Sequence, residues 1–382
     1  MSKFNYSNIE FKKESLNKWW RPEIDKKELK KLHQKRDLPA TLNTLIYFST
    51  LILLGYIAYL SWGSWYALPA FLIYGTFYSF TNARWHEYGH KTFFKSKILN
   101  DIFYEISSFL QYLESVSWRW SHHHHHSHTI HQDIDYEIQV TRPSKLFSLF
   151  FLECFRIGFI WNEFKKILSH SLGIMTPVAI DCVPKNQRWK MIWNSRFLMI
   201  VKIIIISYSV YINSFLPMMF IFTPNIYGGI FLQFLVMTQH GGLKANSWDH
   251  RESTRTFYTN PILGWLCYLN MQYHIEHHIF PQVPFYNLPK LHELIKEQMP
   301  KPNKSFFNED NMKDPGELVA IGGLLDGLAI VVMGGTAFIQ SMTQNPEWAY
   351  ALLLGLEGIA FVIWSGVVKS KTLLAFSTSS RR

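Results

Sequence analysis

Apolar and polar positions segregate into long blocks along this chain instead of alternating. From Leu38 to Ala83 there are 46 residues without a Lys, Arg, Asp or Glu. A membrane-spanning helix takes about 20 apolar residues, so this stretch predicts two, with a turn near Ser61–Trp65. A second charge-free run from Ile203 to Leu243, extended back to Phe197, predicts two more. Their turn falls either at Asn213–Pro217 or at Thr223–Tyr227. The alternative, buried core helices of a soluble protein, suits shorter runs, because so much apolar surface is hard to cover.

Three further segments complete the pattern. Residues 146–161 are apolar but carry Glu153 and Arg156, three positions apart and able to pair on one helical face; this predicts an interfacial or re-entrant helix. The stretch Asn303–Pro315 is polar. Beyond it, Leu318–Gln340 and Trp348–Val368 predict a final hairpin turning at Thr343–Pro346. Its many glycines suit close helix packing in lipid. Asp326 and Glu357 each fall inside one of these last spans, where an acid marks either a functional site or a hydrogen-bonded packing contact.

The expected architecture is therefore an all-α integral membrane protein. Four core spans form a helical bundle beneath a histidine-rich cap, and a C-terminal helical hairpin follows. The chain divides into a basic segment at 1–38, a membrane domain at 39–300, a linker at 301–316, and the hairpin with its tail at 317–382.

Charge adds the orientation. Residues 1–38 carry 11 Lys and Arg, 84–145 carry seven and 162–196 carry six, while the turn regions at 61–65 and 209–229 carry none. Cytoplasmic loops are the ones enriched in Lys and Arg. The multi-pass chain is thus expected to keep its N-terminus, its histidine clusters and its C-terminus on the cytoplasmic side. The formal charge of +10 reads as this topology signal and as attraction to anionic lipid. Nucleic-acid binding is not expected, because the N-terminal lysines alternate with acids. The first 38 residues are too polar for a cleavable signal peptide. With only three cysteines, a disulfide framework, a Cys-rich zinc site and an iron–sulfur cluster are all excluded.

The candidate chemistry lies in the 17 histidines. Three clusters hold most of them: Arg84-Trp-His86-Glu-Tyr-Gly-His90, then Trp118-Arg-Trp-Ser-His122 running on to Thr129, then Asn270-Met-Gln-Tyr-His274-Ile-Glu-His277-His278. Positions i, i+3 and i+4 share one arc of a helix. His86 and His90 are i and i+4. His122, His125 and His126 follow i, i+3, i+4, as do His274, His277 and His278. In the run of five histidines, Ser127 leaves only one such register, so His123, His124 and His128 stay outside the set. Imidazole suits iron, zinc, copper and nickel. Eight imidazoles exceed what one tetrahedral zinc takes, which predicts a two-metal centre.

The pattern H-x3-H, H-x2-H-H and a distant H-x2-H-H resembles the integral-membrane fatty acid desaturase and hydroxylase superfamily, which includes the membrane alkane hydroxylases. WRWSHxxHHxxT at 118–129, QHGG at 239–242, DHRESTRT at 249–256 and YHIEHHIFPxVP at 273–284 look closest to bacterial dihydrorhizobitoxine-desaturase-like members. The resemblance covers roughly residues 40–295. It implies a non-haem di-iron centre, with O2 as co-substrate, and adds His240 as a ninth ligand beside the eight box histidines. Acyl-CoA desaturases have an Asn four residues before the equivalent of His240; here that position is Val236, which favours an all-histidine set. Metal-bound histidines donate their other N–H to a carboxylate or carbonyl, and Glu87, Asp133, Asp135, Asp249 and Glu276 lie close enough in sequence to serve. His250, Asn270 and Tyr273 flank the same segments as further supports.

Two functional classes follow. One is an oxygen-dependent oxidoreductase acting on an unactivated C–H of a fatty acyl or other lipid-like chain, by desaturation or, alternatively, by hydroxylation. No dinucleotide fingerprint is present, so electrons are expected from an external carrier of ferredoxin, rubredoxin or cytochrome b5 type with its reductase. The other is a metal transporter or sensor, which predicts ligands near the bilayer midplane. The clusters instead fall at span ends.

Overall fold

The computed structural model describes residues 19–138 and 156–302. The C-terminal hairpin with Asp326 and Glu357, nearly all of the linker before it, and Glu153 lie outside these residues. Among the described residues the chain is helical, with no strand; one isolated bridge pairs Thr256 with Tyr273.

A short helix α1 (Lys26–Leu32) starts at Asp25, whose carboxylate accepts from the amides of Lys27 and Glu28, a standard N-terminal cap. The long α2 (Asp37–Ser61) follows, then α3 (Ala67–Ser79). The turn between them lies at Trp62–Tyr66, where the hydropathy pattern places it. After Phe80 the chain continues as α4 (Thr81–Gly89), then α5 (Lys97–Leu110) and α6 (Ser115–Ser127). Helix α7 (Ile157–Ser171) takes in the end of the expected 146–161 helix. The short α8 (Pro177–Asp181) leads to the long α9 (Arg188–Tyr211).

Two helical stretches among the described residues are long and apolar enough to cross a membrane, Lys26–Ser61 and Lys185–Tyr211. The sequence pattern predicts four. The second member of each expected pair is shorter or broken. Helix α3 has 13 residues. Past α9 the apolar run divides into α10 (Leu216–Ile221), α11 (Pro224–Tyr227) and α12 (Ile230–His240). Pro217 and Pro224 sit at the starts of α10 and α11. There a proline is tolerated, but it cannot continue a preceding helix. Gly228 and Gly229 separate α11 from α12. Hydropathy averages over these breaks and so does not register them.

The two long helices leave apolar side chains uncovered. Leu38, Ile52 and Leu60 on α2 and Phe197, Ile204 and Val210 on α9 are each at least 57% exposed. Large apolar side chains exposed along two long helices are uncommon on soluble monomers and suit lipid. On the inner side α3 and α11 touch backbone to backbone: a Cβ on Gly228 would lie 2.0 Å from the Gly75 carbonyl carbon. The remaining elements are the short α13 (His250–Ser253), a π-turn at Leu263–Cys267, α14 (His274–Ile279) and α15 (Leu288–Ile295).

Arg84 ties three of these parts together. It is fully buried. Its guanidinium lies over the Tyr47 ring and donates to Asn43 Oδ1 at 2.9 Å and to the carbonyls of Cys267 (3.1 Å) and Leu266. Helices α2 and α4 are thereby fixed to the π-turn that precedes the third histidine cluster.

Candidate metal centre

Each histidine cluster is carried by a helix end. His86 lies in the last turn of α4 and His90 caps its C-terminus. Helix α6 is started by Glu114, whose carboxylate accepts from the amides of Val116 and Ser117; its other end carries His122, His125 and His126. The third cluster occupies α14, and His240 is the last residue of α12. The four ends meet in one place.

The histidines form two adjoining groups. Ligand atoms of His86, His90, His122, His126 and His277 lie within 4.8 Å of one another, as do those of His125, His240 and His278. His274 joins the second group, its Nε2 2.9 Å from His240 Nε2 and 3.1 Å from His278 Nε2. In the first group the Nε2 atoms of His90 and His126 lie 3.0 and 3.2 Å from that of His122, and His277 Nε2 lies 3.3 Å from that of His126. All nine are buried except His126, which is half-buried.

The outer nitrogens identify which tautomers are present. His122 Nδ1 donates to Glu137 Oε2 and His125 Nδ1 to Asp135 Oδ2, both at 2.8 Å. His240 Nδ1 donates to the Ser253 carbonyl at 2.9 Å. With the proton on Nδ1, each Nε2 turns a lone pair inward, an assignment from the hydrogen-bond network. The Nε2 atoms of His90, His126 and His274 lie 2.9 to 3.2 Å from these lone pairs, while their own Nδ1 atoms have no hydrogen-bond partner among the described residues, a buried cluster of nitrogen donors that a cation would complete. The residues therefore fit metal ions, and the carboxylate–histidine pairing is the one that orients metal-bound imidazoles.

Electrostatics agree. Burial first, then the neighbouring imidazoles, push His90, His126, His274, His277 and His278 well below the ordinary histidine range. They are neutral and available as donors at pH 7. Burial opposes charge on Asp135 and Glu137 too, but the His125 imidazole outweighs it at Asp135, and those of His122 and His125 outweigh it at Glu137. The Asp135 carboxyl stays well below the usual carboxylate range, and that of Glu137 falls to about 2. At His125 burial is outweighed by Asp135 and Glu137, which lift it to about 9; a metal at its Nε2 would compete with that proton.

The other sequence candidates divide. Glu87 is buried beneath the first group, its Oε1 3.7 Å from His86 Nδ1 and 3.8 Å from His277 Nδ1. Asp135 holds His125. Asp133, by contrast, is exposed, because the chain turns through positive φ at Ile130 and Asp133. Asp249 caps α13 and pairs with Arg251 at 2.7 Å, so it holds the cap and not a metal-facing imidazole. Glu276 accepts from His292 Nδ1 at 2.5 Å and from Thr256 at 2.6 Å, anchoring α14 to α15. Asn270 donates to the Phe285 carbonyl at 3.0 Å and shapes the turn before α14. Tyr273 packs its ring on His292. His250 is buried with its ring 5.1 Å from that of His278, outside both groups. His123 is exposed.

Sequence reasoning missed Glu137 and Thr129, whose Oγ1 lies 3.1 Å from His278 Nδ1. Glu137 shares the acidic run of Asp133 and Asp135, so composition marked the run without marking the residue. The Ser253 carbonyl left no sequence signal.

No curated protein matches the chain. A family model described as fatty acid desaturase matches residues 62–309. The match takes in all nine histidines and more than half of the sequence. Both the fitted site and the matched region lead to one assignment: the chain belongs to the fatty acid desaturase family and is an oxidoreductase of desaturase or hydroxylase type.

Proposed function

We propose that the protein is an O2-dependent di-iron oxidoreductase that desaturates a fatty acyl or other lipid-like chain in a membrane. The observation that carries this reading is the convergence of nine imidazoles in two groups, three of them held with Nε2 inward by carboxylates and a carbonyl behind them. His86, His90, His122, His126 and His277 would hold one iron, and His125, His240, His274 and His278 the other. Bound iron supplies the power to activate O2 against an unactivated C–H bond, chemistry that no side chain here could supply alone.

The protein's own contribution is positioning. Asp135, Glu137 and the Ser253 carbonyl fix their imidazoles in one tautomer. Burial of the site excludes bulk water, which limits side reactions. The uncovered faces of α2 and α9 meet lipid, and the Lys- and Arg-rich segments hold the histidine clusters on the cytoplasmic side. Removal of two hydrogens with reduction of O2 to two waters needs two further electrons. These come from an external one-electron carrier of ferredoxin, rubredoxin or cytochrome b5 type.

Hydroxylation is the second reading, favoured by the same histidines; the two outcomes differ in the fate of the second hydrogen. The test is metal analysis of the purified protein together with mass spectrometry of lipid extracts from cells with and without it. Two irons per chain and a lipid lighter by two hydrogens are expected. A lipid heavier by one oxygen selects hydroxylation, and labile zinc or manganese with unchanged lipids overturns both.

A further inference from the structure

The N-terminal tryptophans lie outside the matched region and outside the histidine groups, yet Trp19 is built onto them. Its indole lies flat on the His250 imidazole, ring centroids 3.8 Å apart and planes within 6°. The His250 ring in turn lies 5.1 Å from that of His278, a member of the second group. Trp19 Nε1 donates to the carbonyl of Ser127, the last residue of α6, at 3.1 Å. Trp248 meets Trp19 edge-on at 5.4 Å, and its carbonyl accepts from the Trp20 amide at 3.0 Å. The Trp20 ring lies under the Arg251 guanidinium at 3.5 Å. Trp19 is half-buried and reaches the surface, whereas His250 is 4% exposed.

We propose that the stacked pair Trp19–His250 is the route by which electrons enter the second histidine group from a protein carrier docked on this surface. The inference rests on the di-iron reading above. His250 stands outside both groups. What it does have is ring contact on both sides, with Trp19 outward and with His278 inward. Electron tunnelling weakens steeply across open gaps and less through packed atoms. Two ring contacts thus join a surface indole to the histidine cluster. In each transfer the carrier loses one electron and the metal centre gains one; no bond forms or breaks, and two transfers serve one turnover. The carrier is the one-electron donor that the proposed reaction requires, and exposed Arg21 beside the pair gives an acidic face of such a carrier a cation to meet. A small iron–sulfur protein of ferredoxin type has that chemistry.

The experiment compares full-length, iron-loaded wild type with Trp19→Leu and Trp19→Phe in lipid nanodiscs. Iron content is measured first. Anaerobic stopped-flow spectroscopy then follows reduction of the oxidised centre, once by reduced methyl viologen and once by a reduced [2Fe–2S] ferredoxin. Trp19→Leu is expected to keep its iron and its viologen rate while ferredoxin-driven reduction slows by an order of magnitude or more. Trp19→Phe, which keeps an aromatic stack, is expected to recover most of that loss. Reduction of Trp19→Leu by ferredoxin at the wild-type rate overturns the route. So does loss of iron, or equal slowing with both reductants, since Trp19 would then be only a structural cap. A wild type reduced by viologen but not by ferredoxin overturns the carrier. A wild type without redox-active iron fails at the first measurement and overturns the reading of the site itself.

Discussion

His125 and Asp135 form a fully buried pair, Nδ1 to Oδ2 at 2.8 Å. The same carboxylate oxygen accepts from the Ile130 amide at 2.8 Å, in a turn where Ile130 itself has a φ of 54°. A β-branched residue seldom tolerates that conformation, so the carboxylate both orients the imidazole and holds a strained turn. Asp135→Asn leaves an amide that can offer its nitrogen where an acceptor is needed. Metal affinity is expected to fall about 10- to 100-fold, the usual cost of losing such a support, with the protein still helical. Chelator competition against the purified protein measures this; unchanged retention would separate Asp135 from the site.

The five consecutive histidines on α6 allow a sharper comparison. His125 is buried in the second group, while His123 is exposed on the same helix. His125→Ala and His277→Ala are expected to lose metal and activity while membrane insertion persists. His123→Ala is expected to retain both. Equal metal loss in His123→Ala and His125→Ala would mean that the helix presents a different register.

What could be read from sequence followed from periodicity. The i, i+3, i+4 spacing of His122, His125 and His126 shows a shared face without any tertiary knowledge, and the helix bears them on one face. His240 had no such local pattern and came only from family resemblance. The supports behind the imidazoles were less legible because they depend on how loops close. Asp133 and Glu137 are equivalent in composition, yet the turn through Ile130 and Asp133 exposes one and brings the other to His122. The spans show the same limit. Apolarity marked α2 and α9, but Pro217, Pro224 and the Gly228–Gly229 step cut the second run into pieces that averaging conceals.

That glycine step makes a prediction about stability. A Cβ at Gly228 would lie 2.0 Å from the Gly75 carbonyl carbon and 2.2 Å from the Thr76 nitrogen, both backbone. A Cβ at Gly75 would instead meet chiefly the Tyr227 ring at 2.1 Å, and a side chain can swing aside more easily than a helix can move. Gly228→Ala is therefore expected to cost about 3 kcal/mol, the upper part of the range for overpacking, and Gly75→Ala less. Unfolding midpoints in detergent rank the two. The reverse order would show that the α3–α11 contact yields at its backbone.

Glu114 supplies the pH dependence. Burial pushes its carboxyl up to about 7 from 4.5, against the lowering effect of the Ser117 and Val116 hydrogen bonds at the start of α6. An acid whose pKa is raised by folding holds more protons in the folded state than in the unfolded state between those two values. Stability therefore falls as pH rises through that window. This group's contribution is full below about 4.5, declines up to about 7, and stays lost above it. The shift corresponds to about 3 kcal/mol at a fully buried site. Glu114→Gln keeps one side-chain oxygen to accept from the α6 amides and removes the titration. The wild-type unfolding midpoint is expected to drop more steeply than that of Glu114→Gln between pH 4.5 and 7, and the two curves should run parallel above it. The histidines titrate in both proteins alike, so the difference between the curves isolates Glu114. Curves that stay parallel across the whole range would mean that the Glu114 carboxyl is already ionised at pH 4.5 and that the amide donors of α6 outweigh its burial.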